Sequence, residues 1–258
     1  MSGSDGGGAG LLIINADDWG RDRQNTDRAL ECILCGAVSS VSAMVFMEDS
    51  ERAAAIARER GIDVGLHLNL TSAFSAPEVP ASLQEHQERI SRHLRRSRFA
   101  PVVFHPGLVR RFEYVVSAQL AEYERLYGIA PARLDGHHHM HLCANVVYAG
   151  LLPAATVVRR NFSFKPGEKH ALNLYYRRLI DRVLARRHVL TDFFFSLSPL
   201  RPSDRFDAIV SVARSKRTVE VETHPVKPDE YQFLAGGELF RRVGGDHLMA
   251  TGFTLTQN

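Results

Sequence analysis

The sequence predicts an α/β fold in which parallel strands alternate with helices and close into a (β/α) barrel, and three observations predict it. Short apolar runs without polar alternation, such as Leu11–Asn15, alternate with segments of helical spacing, the rhythm of buried strands joined by crossover helices. About seven or eight such units follow one another, which favours a barrel over an open sheet. Four strand-like runs end in carboxylates or imidazoles, and the C-terminal ends of barrel strands are where working residues gather.

The elements follow in order. Leu11–Asn15 reads as the first strand and Gln24–Gly36 as a helix, with Ala29, Ile33 and Leu34 on one side and Gly36 as its stop. Val41–Phe46 is a second strand, Ser50–Arg60 an Ala-rich helix stopped at Gly61, and Val64–Leu70 a third strand. Residues 77–106, polar and bracketed by prolines, interrupt the rhythm as an insertion or lid with a helix over Ser82–Arg95. Its Arg92–Arg98 run reads first as a solvated helix face. The repeat resumes with a helix over Arg110–Tyr127, a strand at Arg133–Gly136, a helix over Asn145–Leu152, a strand at Thr156–Arg159 and a long amphipathic helix over Ala171–Arg187. A strand over His188–Phe195, a helix over Ser203–Ser215, a strand at Thr218–Thr223 and a short helix over Gly236–Val243 complete it. The domain expectation is a disordered Gly/Ser-rich tail over 1–10 and a single catalytic domain over 11–258.

Composition narrows the function. Apolar residues make up 45% and charged residues 24% of 258, so the chain can bury a full core. A net charge of +3 does not call for nucleic acid, and no zinc-finger or aromatic RNA-binding motif accompanies the scattered arginines. Three cysteines form no disulfide framework, and the pair Cys32 and Cys35 reads as two small core residues on a helix. There is neither a secretory signal pattern nor an apolar run of about 20 residues. A soluble, cytoplasmic protein without a membrane partner is therefore expected, and a homodimer only because soluble proteins so often form one.

The chemistry lies in four segments. These are Asn15-Ala16-Asp17-Asp18-Trp19-Gly20, Gly65-Leu66-His67-Leu68-Asn69-Leu70-Thr71, Asp135-Gly136-His137-His138-His139-Met140-His141 and Val219-Glu220-Val221-Glu222-Thr223-His224-Pro225. Two imidazoles with one carboxylate form an open set for a divalent metal, and adjacent carboxylates on an irregular strand end can divide between metal and water. Asp-Asp alone is often a cap or turn, and a lone histidine at a strand end is usually structural. Four imidazoles in five residues are harder to dismiss, and flanking Leu134 and Leu142 argue against an exposed metal-binding tract. If that segment is extended, His137, His139 and His141 share one face and His138 points away.

Together these segments resemble the YdjC/ChbG-like carbohydrate deacetylases over most of the chain, from about Leu11 to Pro225. The resemblance implies a distorted, TIM-like (β/α) barrel that removes acetyl groups from N-acetylated amino sugars. It implies Asp18, His67 and His137 as ligands of one divalent ion (zinc or magnesium first, manganese or cobalt as further candidates). It further implies Asp17 as the general base on the attacking water, His224 as the acid for the leaving amine, and Asp135 as the residue orienting a ligand histidine. His139 and His141 line the pocket or support the metal shell. Trp19 stands where relatives often carry Phe and keeps an aromatic wall for a sugar ring, while Arg133 stands near a position where they often carry histidine, bringing a cation toward the site. Two other readings use the same residues: a metal-dependent amidase or phosphoesterase on another small substrate, and a non-catalytic sugar- or metal-binding protein.

Overall fold

Strand β1 (Leu11–Trp19) pairs in parallel with β2 (Ser40–Ala43) on one side and with β7 (Thr218–Thr223) on the other. The computed structural model describes residues 10–164, 168–202, 204–244 and 248–253. From β2 the sheet continues through β3 (Val64–Leu68) and β4 (Arg133–Gly136) to the short β5 (Val157–Val158). On the far side β7 pairs with β6 (Phe193–Ser196). All seven strands are parallel and the order is β5-β4-β3-β2-β1-β7-β6.

The two ends of that order come together. Val158 donates to the Val189 carbonyl, Val189 to the Thr156 carbonyl, and Ser163 to the Phe194 carbonyl. These bonds stitch the chain after β5 to β6 without a regular ladder. The ring thus runs in sequence order, a distorted TIM-like barrel closed by an irregular seam. Nine helices of the described residues surround or cap it: α1 (Arg23–Leu34), α2 (Ser50–Arg60), α3 (Ala81–Arg95), α4 (Val109–Tyr127), α5 (Ala144–Tyr148), α6 (Ala171–Leu184), α7 (Asp204–Arg214), α8 (Pro228–Ala235) and α9 (Glu238–Val243).

The boundaries that shift have local causes. β3 stops at Leu68 because the Asn69 side chain accepts from the Thr71 and Ser72 amides, an Asx turn that competes with the ladder. β2 stops at Ala43; the backbone then bends toward β1, Met44 donating to the Trp19 carbonyl, and Phe46 is left-handed at φ 58°. The sequence reading omitted α8, although Pro228 opens it with Asp229 and Glu230 in its first turn, the favoured composition of a helix N-terminus. Cys32 is buried on α1 as expected, but Cys35 caps that helix and is exposed, so only one of the pair belongs to the core.

Two apolar layers lie outside the barrel wall, one packed by α1, α2 and α7 against β1, β2 and β7, the other by α3, α4, α5 and α6 against β3, β4 and β5. Helix α3, in the 77–106 segment, is fastened at its inner face: Gln87 donates to the Asn69 and Ser72 carbonyls, and Ser91 to the Thr71 carbonyl. It therefore braces the loop leaving β3. Residues 1–9 of the expected tail lie outside the described residues. Among the described residues no helix is long and apolar enough to cross a membrane.

Candidate metal centre

Strand side chains alternate between barrel interior and helix layer. The interior positions here are polar to an unusual degree: Asn15 and Asp17 on β1, Ser40 and Ser42 on β2, His67 on β3, Arg133 and Asp135 on β4, and Glu220 and Glu222 on β7. All are at least nine-tenths buried. Directly after β5, Arg159 joins them. Such a set persists in a low-dielectric interior only because its members pair with one another.

Arg159 is the hub. Its Nη1 and Nη2 lie 2.7 Å from the two oxygens of Asp17, a bidentate pair. Nη2 also reaches Asp135 at 2.7 Å, Nε reaches Glu220 at 2.6 Å, and Nη1 lies 3.5 Å from Glu222. Burial alone would raise the Asp17 carboxyl, but Arg159 and His67 hold it well below the usual carboxylate range. Glu222 is pushed the other way, first by burial and then by the charge of Asp17.

The candidate ligands come from three strand ends. A register shift between Ala16 and Trp19 puts a bulge in β1, and Asp18 sits there with φ 65°. The bulge lets consecutive aspartates face the same interior. Asp18 Oδ1 lies 3.5 Å from His67 Nε2 and 3.0 Å from His137 Nδ1, while Arg21 holds Oδ2 at 2.9 Å. Asp135 Oδ1 stands 2.7 Å from His67 Nδ1 and so turns Nε2 toward Asp18. Burial alone would lower His67, but Asp17 and Asp135 carry it up to about 9.

A divalent ion fits these residues. One ligand atom from each of Asp18, His67 and His137 lies within 4.8 Å of the others, all three side chains being buried. Asp18 Oδ1 and His137 Nε2 are buried without a hydrogen-bond partner of good geometry. Four buried carboxylates (Asp17, Asp135, Glu220 and Glu222) crowd the single Arg159 guanidinium, and a fifth, Asp18, has only the partly exposed Arg21. Positive charge is what the cluster lacks.

The histidine tract is not extended. Residues His137–Leu142 form a tight 3₁₀ segment in which His138 and His139 are left-handed, at φ 53° and 58°. His137, His139 and His141 therefore do not share one face. His138 packs on His137 at 3.9 Å and meets the Thr71 hydroxyl at 2.9 Å; burial first, with His137 beside it, pushes it down to about 4. His139 turns edge-on to Phe162, with Nε2 3.6 Å from Glu222, and with Phe162, Arg98 and Arg177 it lines a cleft of about 310 Å³. His141 donates from Nε2 to the Arg159 carbonyl at 2.9 Å, tying the turn to the chain after β5.

His224 follows β7, its amide held by Glu230 at 2.6 Å. Burial first, then Lys227, lowers its imidazole, against the pull of Asp17 and Asp18. Trp19 does not wall a sugar site: it is fully buried in the apolar layer with Leu12, Ile14 and Ala16, because the bulge turns it out of the barrel. Arg133 lies below the site rather than beside the ligands, bonded to Asn15 and Ser42. The sequence reading missed Arg159, Glu220, Glu222, Asn15 and Ser42. The spacings Asn15-x-Asp17, Ser40-x-Ser42, Arg133-x-Asp135-x-His137 and Glu220-x-Glu222-x-His224, polar at every second residue of buried strands, were the signal available.

This chain and its barrel have known relatives. The chain belongs to the YdjC-like protein family, which matches residues 11–242. A chitooligosaccharide deacetylase of Serratia marcescens is 33% identical over 136 residues, 51% of this chain and 51% of that protein, so the match spans about half the relative's length. One of Proteus mirabilis is 30% identical over 263 residues, covering 91% of this chain and 88% of the relative. Among solved structures, an Enterococcus faecalis protein described as a candidate for cellobiose-phosphate cleavage superposes with a TM-score of 0.65 at 17% identity, covering 95% of this chain and 97% of that one, a likeness of fold.

Proposed function

We propose that the chain is a divalent-metal-dependent hydrolase that removes the acetyl group from an N-acetylated amino sugar, as the names of its relatives suggest for them. The observation that carries this reading is the pairing of an open ligand set with a second, separately held carboxylate. A binding protein needs Asp18, His67 and His137 but has no use for an Asp17 clamped ionised beside them. An ion held by those three residues supplies a Lewis acid for the amide carbonyl and eases deprotonation of water. Zinc and magnesium are the first candidates, with manganese and cobalt next.

The remaining work falls to the chain's own groups. Asp17, oriented by Arg159, accepts the proton of the attacking water. Asp135 keeps His67 facing the ligand set. His224 hands a proton to the departing amine, and the cleft beside His139 receives the sugar. Burial of the whole layer excludes bulk water and strengthens each of these interactions.

The test is acetate release from N-acetylated mono-, di- and oligosaccharides, with and without chelator. Release should be chelator-sensitive, and Asp17→Asn should lower kcat by about 10²–10⁴ while divalent-ion binding persists. Full hydrolysis by Asp17→Asn would remove Asp17 from the base role. Ion binding without release from any substrate would point to another acyl substrate or to a binding protein.

A further inference from the structure

We infer that Arg133, on the barrel floor and out of reach of substrate, is a positioning residue that fixes the donor–acceptor sense of two hydrogen-bond chains, one ending on Asp17 and the other on His67. The inference rests on the site assigned above and concerns how that site is held.

A guanidinium can only donate. Arg133 Nη1 donates to Asn15 Oδ1 at 3.0 Å and to Ser42 Oγ at 3.2 Å, and Nη2 to the Val41 carbonyl at 3.1 Å. An amide can be turned either way, but only one orientation of Asn15 suits this neighbour. With Oδ1 toward Arg133 and the Ser40 hydroxyl (2.8 Å), Nδ2 must point up to Asp17 Oδ1, and it donates there at 2.8 Å. The reverse orientation would set N–H against N–H below and oxygen against carboxylate above.

Ser42 is constrained in the same way. Its oxygen accepts from Arg133 and from Asn15 Nδ2 at 2.8 Å, so its one proton goes to Asp135 Oδ2 at 2.6 Å. Asp135 Oδ1 then holds His67 Nδ1 at 2.7 Å, leaving Nε2 for the ligand set. One chain therefore runs Arg133–Asn15–Asp17, the other Arg133–Ser42–Asp135–His67.

The fold makes room for this arginine. A Cβ on Gly65, directly across on β3, would stand 2.6 Å from Arg133 Nη1 and 2.8 Å from its Cζ, so any side chain there would push the guanidinium from its place. From below, the Phe253 ring faces the guanidinium at 4.5 Å and Asp63 lies 3.4 Å from Nη2.

The two chains give separable readouts: kcat against a saturating N-acetylated chitooligosaccharide, and the Kd of Zn²⁺ for chelator-stripped protein by titration calorimetry, which needs no substrate. Asn15→Ala should lower kcat about 10–100-fold with Kd within about twofold. Ser42→Ala should raise Kd about tenfold. Arg133→Met should do both, and Arg133→Lys, still an obligate donor, should recover most of each loss. Kd and kcat both within twofold of wild type in a folded Arg133→Met would overturn the inference, as would equal losses in the Lys and Met variants. If Arg133→Met does not fold, the single variants decide: weakening of Zn²⁺ binding by Asn15→Ala equal to that by Ser42→Ala would mean there are no separate chains. Absence of wild-type turnover would refute the deacetylase reading, while the Zn²⁺ arm would still test the Ser42 chain.

Discussion

Two layers of the barrel interior each hold a buried arginine, and they use it differently. In the upper layer Arg159 faces Asp17, Asp135, Glu220 and Glu222, all with oxygens within 3.5 Å. In the lower layer Arg133 meets an amide, a hydroxyl and a carbonyl, with one half-exposed carboxylate, Asp63, at 3.4 Å. Arg159 is a counter-charge, without which Asp17 and Asp135 cannot stay ionised indoors. Arg133 is a director of protons among neutral groups. The same side chain supplies stability in one layer and orientation in the other.

The largest break in this contrast comes from Arg159→Met, which strands several carboxylates at once. It should cost about 3–5 kcal/mol or abolish folding, as measured by urea unfolding. Trp19→Phe probes the apolar layer outside both. It should lower stability by about 1–3 kcal/mol through a cavity while leaving the substrate KM within about twofold. A large rise in KM would restore the indole to the sugar site.

The subtlest test is Glu222→Gln, read as a function of pH on chelator-stripped protein. Folding raises the Glu222 carboxyl above its ordinary 4.5, so the folded chain keeps a proton that the unfolded chain gives up. Its contribution to stability is therefore complete below pH 4.5 and is lost as pH rises toward the raised value. The Gln variant does not ionise, so its stability relative to wild type should climb over that interval and then level off. Asp17 and Asp18 have the opposite sign, losing their contribution on acidification, but they are common to both proteins. A difference that falls with rising pH would contradict the assignment.

Much of this was legible in the sequence. The apolar runs located every strand, and β4 and β7 fall at the expected residues because turn residues and abrupt polar changes bound them. The five groups Asp17, Asp18, His67, Asp135 and His137 do converge. What stayed hidden depended on long-range geometry. Arg159 looked like the end of an ordinary strand, and only closure of the ring brings it to Asp17, 142 positions away. The histidine tract misled because left-handed backbone at His138 and His139 carries no sequence mark when glycine is absent. The aromatic wall expected at Trp19 rested on the resemblance alone, and the bulge in β1 turns the indole into the helix layer instead.

That bulge limits how this segment can vary. In an unbroken strand Asp18 would point to the helix layer and Trp19 back into the barrel; the extra residue exchanges them. Deleting one of the two aspartates here would remove the bulge, leaving the indole opposite Ala43 in the apolar layer but taking one of the two carboxylates out of the interior. Substituting Asp17 or Asp18 keeps both inward positions, whereas shortening the segment by one residue abolishes one of them. Along this stretch the number of residues is under tighter physical constraint than the identity of most of them.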